Sequence, residues 1–308
     1  MSNINNQDES VSLLEIINYL WDKKFVILSV TILSAVFSVT YSLNLEDIYK
    51  SEAIVTAVED SDKSPISGRS LGGFASIAGI NMSQSSANKS QEGIQILQSF
   101  YFFSLFLDSH NYLPEIMAAK SWDQATNIIQ YDKKIYNNEL DKWVRKVNSP
   151  KRSEPSYQEA YLEFKKIFNV SQDTDTGFVT ITVEHVSPFI ANDMVVQIID
   201  LLNEIIRDKD RAKATRSLDF LNSQISNTTL AEMRLALANL IKQETQTLML
   251  VEANNEYLFK VIDPSVASEI KSKPNRAYLC ILYTFLGFML SVFILLASFF
   301  LKTSNKDL

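Results

Sequence analysis

Apolar and polar positions divide this chain into two uncharged runs near its ends and a long mixed stretch between them. Residues 25–43 (FVILSVTILSAVFSVTYSL) and residues 277–301 (AYLCILYTFLGFMLSVFILLASFFL) carry no charge at all. At about 1.5 Å rise per residue, either run can cross a hydrocarbon core roughly 30 Å thick as a helix that satisfies its own backbone. Both are read as transmembrane. A cleaved signal peptide would need a basic leader and a small-residue site after the apolar run. Instead residues 1–24 sum to −2, and Leu43-Asn44-Leu45-Glu46 follows. The second run is longer than the apolar stretch a buried soluble helix usually carries.

Two crossings place 1–24 and 302–308 on one side and 44–276 on the other. Lys23 and Lys24 precede the first run while Glu46 and Asp47 follow it, which favours a cytoplasmic N-terminus. Around the second run the count opposes this: Lys271, Lys273 and Arg276 come before it, and only Lys302 and Lys306 come after. The first helix usually dominates. Both termini are therefore expected to be cytoplasmic, with the 44–276 domain in the periplasm.

Within that domain, 49–58 (YKSEAIVTAV), 177–186 (GFVTITVEHV) and 257–262 (YLFKVI) have the β-branched and aromatic content of strands. Alternation in 177–186 puts Val179, Ile181, Val183 and His185 on one face and Phe178, Thr180, Thr182 and Glu184 on the other. Helical periodicity suggests helices over 93–107, over 122–147, and over 157–168 behind the capping box Ser156-Tyr157-Gln158-Glu159. A similar box, Ser12-Leu13-Leu14-Glu15, starts a short helix before the first crossing. Residues 83–91 are polar and read as loosely ordered.

From Ser187, a good N-cap followed by Pro188, neither proline nor glycine recurs until Pro264. Residues 188–254 are a long helical region. It is either one rod or a hairpin whose second helix starts at the Thr-x-x-Glu of Thr229. A hairpin returns the chain toward the strand at 257–262, next to the second crossing, and is preferred.

Composition removes several kinds of chemistry. Among 308 residues, 29 basic against 36 acidic side chains give a net charge of −7, which argues against nucleic-acid binding. Taking away the −2 of 1–24 and the +1 of 302–308 leaves −6 for the middle. One cysteine, Cys280, and two histidines, His110 and His185, cannot complete a tetrahedral zinc site or an internal disulfide. Four of the seven glycines fall within 68–79 (GRSLGGFASIAG), but that stretch lacks the Gly-Lys-Ser/Thr of a phosphate loop and reads as a packing loop. The basic residues of 142–152 read as a solvated helix face, offset by Asp141 and Glu154. No acid or nucleophile partner is evident for His185, and no carboxylate pair is singled out by spacing. No catalytic residue, metal or cofactor is assigned.

The layout and several strings resemble the Wzz-type chain-length determinants, the polysaccharide co-polymerases of bacterial inner membranes. The strongest part is 257–296 (YLFKVIDPSVASEIKSKPNRAYLCILYTFLGFMLSVFILL), similar to the family's strand, proline-rich approach and glycine-containing second membrane helix. Asp263-Pro264 and Lys273-Pro274-Asn275-Arg276 match the approach, although Ser268 and Lys271 stand where further prolines are usual. Residues 13–24, 49–55, 72–79, 94–106 and 180–188 agree with less specificity.

The resemblance implies an α+β membrane protein: two transmembrane helices flanking a periplasmic α/β base with a long helical hairpin. It also implies a homo-oligomer beside a Wzy-type polymerase, setting the modal length of lipid-linked polysaccharide, most often O-antigen. Gly287 and Ser291, four apart, form a small-residue seam on which another membrane helix can pack closely, either a partner's or the chain's own. Pro264 and Pro274 would fix the exit from the base. A capsule or exopolysaccharide co-polymerase is a rival. Its fused kinase is not expected behind only residues 302–308, while a separate kinase stays open. A two-helix sensor would need an output domain in the same place.

Overall fold

A computed structural model of the chain describes residues 13–58 and 82–304. In chain order its elements are α1 (Leu13–Asp22), α2 (Lys24–Leu43), β1 (Tyr49–Ala57), α3 (Met82–Leu97), α4 (Phe100–His110), α5 (Leu113–Ala118), β2 (Ala119–Asp123), β3 (Ile128–Tyr131), β4 (Tyr136–Asn137) and β5 (Lys142–Trp143). They continue with α6 (Tyr157–Ile167), β6 (Phe168–Gln172), β7 (Val179–His185), α7 (Pro188–Asn227), α8 (Ala231–Ala253), β8 (Phe259–Asp263) and α9 (Arg276–Ser304). The chain forms two units, one of Met1–Asp47 with Ser272–Leu308, the other of Ile48–Lys271. The glycine-rich 68–79 stretch and Ser12 of the first capping box lie outside the described residues.

The first unit contains two helices long and apolar enough to cross a membrane, Lys24–Leu43 and Arg276–Phe299, with mean hydropathies of 2.0 and 2.5. Most of their large side chains, such as Leu33, Phe37, Ile281, Phe285 and Phe293, face outward. In water that would be costly. In hydrocarbon it costs nothing, because lipid tails are as apolar as leucine.

In the second unit four antiparallel strands run in the order β6-β7-β1-β8. Tyr49 pairs with His185 and Val55 with Val179 across β1 and β7, and Val55 meets Val261 across β1 and β8 after a register shift at Ile54. The alternation of β7 is realised: Val179, Ile181, Val183 and His185 are buried, and Thr182 is buried as well. Onto this sheet packs the first half of α7, with Met194, Val195, Ile198 and Leu202 fully buried. Ser187 accepts from the Ile190 N–H and caps the helix, and Pro188 fills its first turn.

Aromatic rings close the other part of the core. Phe103 lies 4.9 Å from Phe164, and Phe164 lies 4.9 Å from Phe168, measured between ring centroids. The ring-bearing helix α4 is fixed at both ends: Ser99 accepts from the Phe102 N–H at 3.1 Å, and Asn111 stops it in the left-handed region at φ 49°. That cap also splits the helix expected over 93–107, so α3 and α4 are separate. The backbone of α3 begins at Met82 and runs through 83–91, the polar stretch read from sequence as loosely ordered.

The helix expected over 122–147 is wrong, because this region is two small β-ribbons, β2–β3 and β4–β5. Its short polar side chains stabilise turns instead of helix. Asp123 accepts from the Ala125 N–H at 2.9 Å, Asp132 from Lys134 at 2.9 Å and Asn137 from Glu139 at 3.0 Å, while Asn127 and Asp141 have positive φ. The basic stretch is consequently no helix face. Arg145 is largely buried and donates to Ser153 O at 2.8 Å, Arg152 O at 2.9 Å and the Glu159 carboxylate. Strand β6, absent from the sequence reading, starts where α6 ends.

After α7 the chain breaks over three residues, and α8 returns antiparallel: Arg211 pairs with Glu252 at 2.6 Å and Arg207 donates to Asn255 at 3.2 Å. The second helix starts at Ala231 behind Leu230, with no side-chain cap from the Thr229 box.

Candidate functional site

In the membrane unit, the interface between α2 and α9 is built from small residues. Ser38, Ser42, Gly287 and Ser291 are buried there, while the bulky neighbours face away. Ser34 Oγ donates to Tyr283 O at 2.8 Å and Ser38 Oγ to Leu279 O at 3.4 Å, so the helices run antiparallel. A β-carbon added to Gly287 would fall directly on the Ser34 side chain. Of the two occupants expected for the Gly287–Ser291 seam, the structure seats the chain's own first membrane helix. Ser291 Oγ turns back to Phe288 O at 2.7 Å, which satisfies the hydroxyl within its own helix.

The matching row on α2, Ser34-x-x-x-Ser38-x-x-x-Ser42, was not picked out from sequence. Its four-residue spacing of small residues was visible in FVILSVTILSAVFSVTYSL.

The proline-motif residues fall into two groups. Asp263 ends β8 opposite Ile54, and the exposed Pro264 follows it, lacking the N–H that would extend the ladder. Beyond it Ser51 Oγ, buried under the chain, donates to Val266 O at 2.9 Å. In the other unit Lys273 and Pro274 lead to Asn275, whose Oδ1 accepts from the Tyr278 N–H at 3.2 Å and caps α9. Arg276 donates to Asp47 at 2.9 Å and to Leu45 O at 3.5 Å, joining the C-terminal end of α2 to the start of α9. Asp47 is its carboxylate partner, a pairing 229 residues apart that no local pattern announces.

In the body, several of the titratable groups that burial perturbs act as structural links. Burial raises the Glu115 carboxyl pKa above its ordinary value, and Tyr131 donates to Glu115 Oε1 at 2.9 Å. The hydrogen bond to Asp141 and then burial push Tyr136 up to about 12. Tyr112 donates to Asp193, and burial first, then that bond, raises its pKa. Burial lowers the pKa of His185. Its Nδ1 accepts from the Ser187 N–H at 3.1 Å and its Nε2 lies 3.2 Å from Glu115 O, so a neutral ring with the proton on Nε2 satisfies both contacts. The backbone at Ser187 and Glu115 therefore occupies both nitrogens. Asn203 is a further link: Oδ1 accepts from the Leu258 and Phe259 N–H groups at 2.9 Å each, and Nδ2 donates to Phe259 O at 3.0 Å.

Among the described residues no group of three or more His, Cys, Asp or Glu side chains is placed to hold a metal ion. What the arrangement provides is rigidity: two close membrane helices joined by Arg276–Asp47, and a body whose polar groups fix its strands and helices.

Residues 9–109 match the family model Wzz, chain length determinant protein. This is the family that the sequence resembles, and the match spans α1, α2, β1, α3 and most of α4. Among solved structures, the chain is similar to a full-length bacterial polysaccharide co-polymerase. That likeness is 13% identical, covers 96% of this chain and 99% of that one, and has a TM-score of 0.41. It is also similar to a fragment of WzzB, the polysaccharide co-polymerase from Salmonella Typhimurium, at 11% identity, covering 74% and 100%, with a TM-score of 0.30. No curated protein matches the chain.

Proposed function

We propose that this chain, whose residues 9–109 match the Wzz chain length determinant family model, is a polysaccharide co-polymerase that sets the modal length of lipid-linked O-antigen beside a Wzy-type polymerase. The family match is the observation that carries this reading. It falls on the first membrane helix and on β1, the strand that pairs with both β7 and β8.

In this reading both termini are cytoplasmic and the body stands in the periplasm as one subunit of a homo-oligomer. Exposed apolar side chains on the second half of the helical pair, Phe220, Leu230, Met233, Leu235, Leu240 and Met249, support self-association. Length is then set by the shape and number of subunits around the growing polymer, and the subunits make and break no bonds. Asp263-Pro264 ends β8 and Lys273-Pro274-Asn275-Arg276 leads into α9, each setting the local direction of the chain.

Deleting the gene in its host tests the reading. Polysaccharide should still be made, with its lengths no longer clustered around one value on a gel. Loss of all polymer would assign the chain to synthesis or export instead.

A further inference from the structure

Between α1, α2 and α9 runs an apolar groove of about 480 Å³, within the roughly 300–1,000 Å³ of small-ligand sites. Leu20, Trp21, Ile27, Leu28, Phe288 and Val292 form most of its wall. The one hydroxyl along it, Thr31 Oγ1, is already committed to Ile27 O at 2.7 Å. The groove therefore has no free donor to offer a polar ligand except at one end, where Lys24 completes the lining.

That end has the character of a membrane interface. Lys24 Nζ sits 5.2 Å from the Trp21 ring centroid and 5.7 Å from that of Phe25, held at the start of the uncharged run. Trp21 is 69% exposed, and tryptophan beside lysine at the end of a span marks head-group depth. No acidic side chain lines the groove. An apolar trough with a single cation at its head-group end is complementary to one class of molecule: an acyl chain carrying a negative head group.

We propose that this groove seats one anionic phospholipid, its acyl chain along Leu28 and Phe288 and its phosphate on Lys24. The seat depends on α2 and α9 spanning a membrane and is independent of polysaccharide length control.

Tryptophan quenching by brominated lipid tests it on the full chain in phosphatidylcholine vesicles. A small fraction of the lipid is replaced by dibrominated phosphatidylglycerol or, in parallel, by the same fraction of dibrominated phosphatidylcholine. Subtracting the signal of Trp21→Phe isolates Trp21 from Trp122 and Trp143. The anionic quencher should be preferred roughly fivefold, the effect expected of one lysine at an anionic surface. Lys24→Gln should remove that preference, Lys24→Arg should keep it, and Lys23→Gln should leave it largely intact. Circular dichroism establishes that each variant is folded. Equal quenching by the two lipids would overturn the proposal. So would a preference that survives Lys24→Gln or falls as far with Lys23→Gln, which would mean diffuse surface charge. Quenching that depends on protein density in the vesicle, with no lipid preference, would assign the groove to a second copy of the chain and would also overturn it.

Discussion

Serine and glycine fill the contact between α2 and α9, whereas phenylalanine, leucine and valine fill the body. The same chain uses opposite packing chemistry because the two regions face opposite solvents. Around the body, water makes burial of large apolar side chains favourable, so Phe102, Phe103, Phe106 and Phe164 are sealed inside. Around the membrane pair nothing is gained by moving a leucine from lipid to helix. The helices instead hold together by close backbone approach and by hydroxyl-to-carbonyl bonds such as Ser34 to Tyr283. Large-to-small changes should therefore damage the body, and small-to-large changes the pair.

The sharpest break of that contrast is Phe106→Ala, which should cost about 3–5 kcal/mol, read by denaturant unfolding of the detergent-solubilised chain followed by near-ultraviolet circular dichroism. A loss under about 1 kcal/mol would show that the aromatic cluster is not a packed core. Next comes Asn203→Leu, which leaves the buried Leu258 and Phe259 N–H groups unpaired. About 2–3 kcal/mol should be lost, with faster hydrogen exchange at 258–260. In the pair, Gly287→Leu drives a side chain into Ser34. It should cost about 1–3 kcal/mol and broaden the polysaccharide length distribution, while Leu290→Ala on the outward face should cost almost nothing.

The fourth test uses pH. His185 is neutral when folded, with its pKa below the ordinary 6.5, so the unfolded chain binds the extra proton first. Stability should be flat above about pH 6.5 and fall as pH drops below it, a slope that His185→Gln should remove. Glu115, shifted upward from 4.5, acts with the opposite sign: the folded state holds that proton more tightly, so its contribution declines as pH rises through and above 4.5. Comparing the wild-type and His185→Gln profiles separates the two. Smallest of all is Lys209→Gln, since its pair with Glu92 is exposed on both sides and should be worth less than about 1 kcal/mol.

What could be read in advance follows the same division. The uncharged runs, the alternation of β7 and the Ser187-Pro188 helix start are local patterns, and the folded chain keeps them. The 122–147 region was misread because spacing of apolar residues was weighed above Asp123, Asp132 and Asn137, whose side chains compete with helix for backbone N–H groups. The Ser34-Ser38-Ser42 row was legible and overlooked. Asn203, Arg276–Asp47 and Arg145–Glu159 were not legible, since each depends on a partner that only the fold brings close.

The most direct test is the polysaccharide ladder of a strain lacking the gene and complemented with the full chain. Restoration of one narrow length class with the amount of polymer unchanged is the predicted outcome. A ladder that stays random while the protein is present and assembled in the membrane would contradict the account.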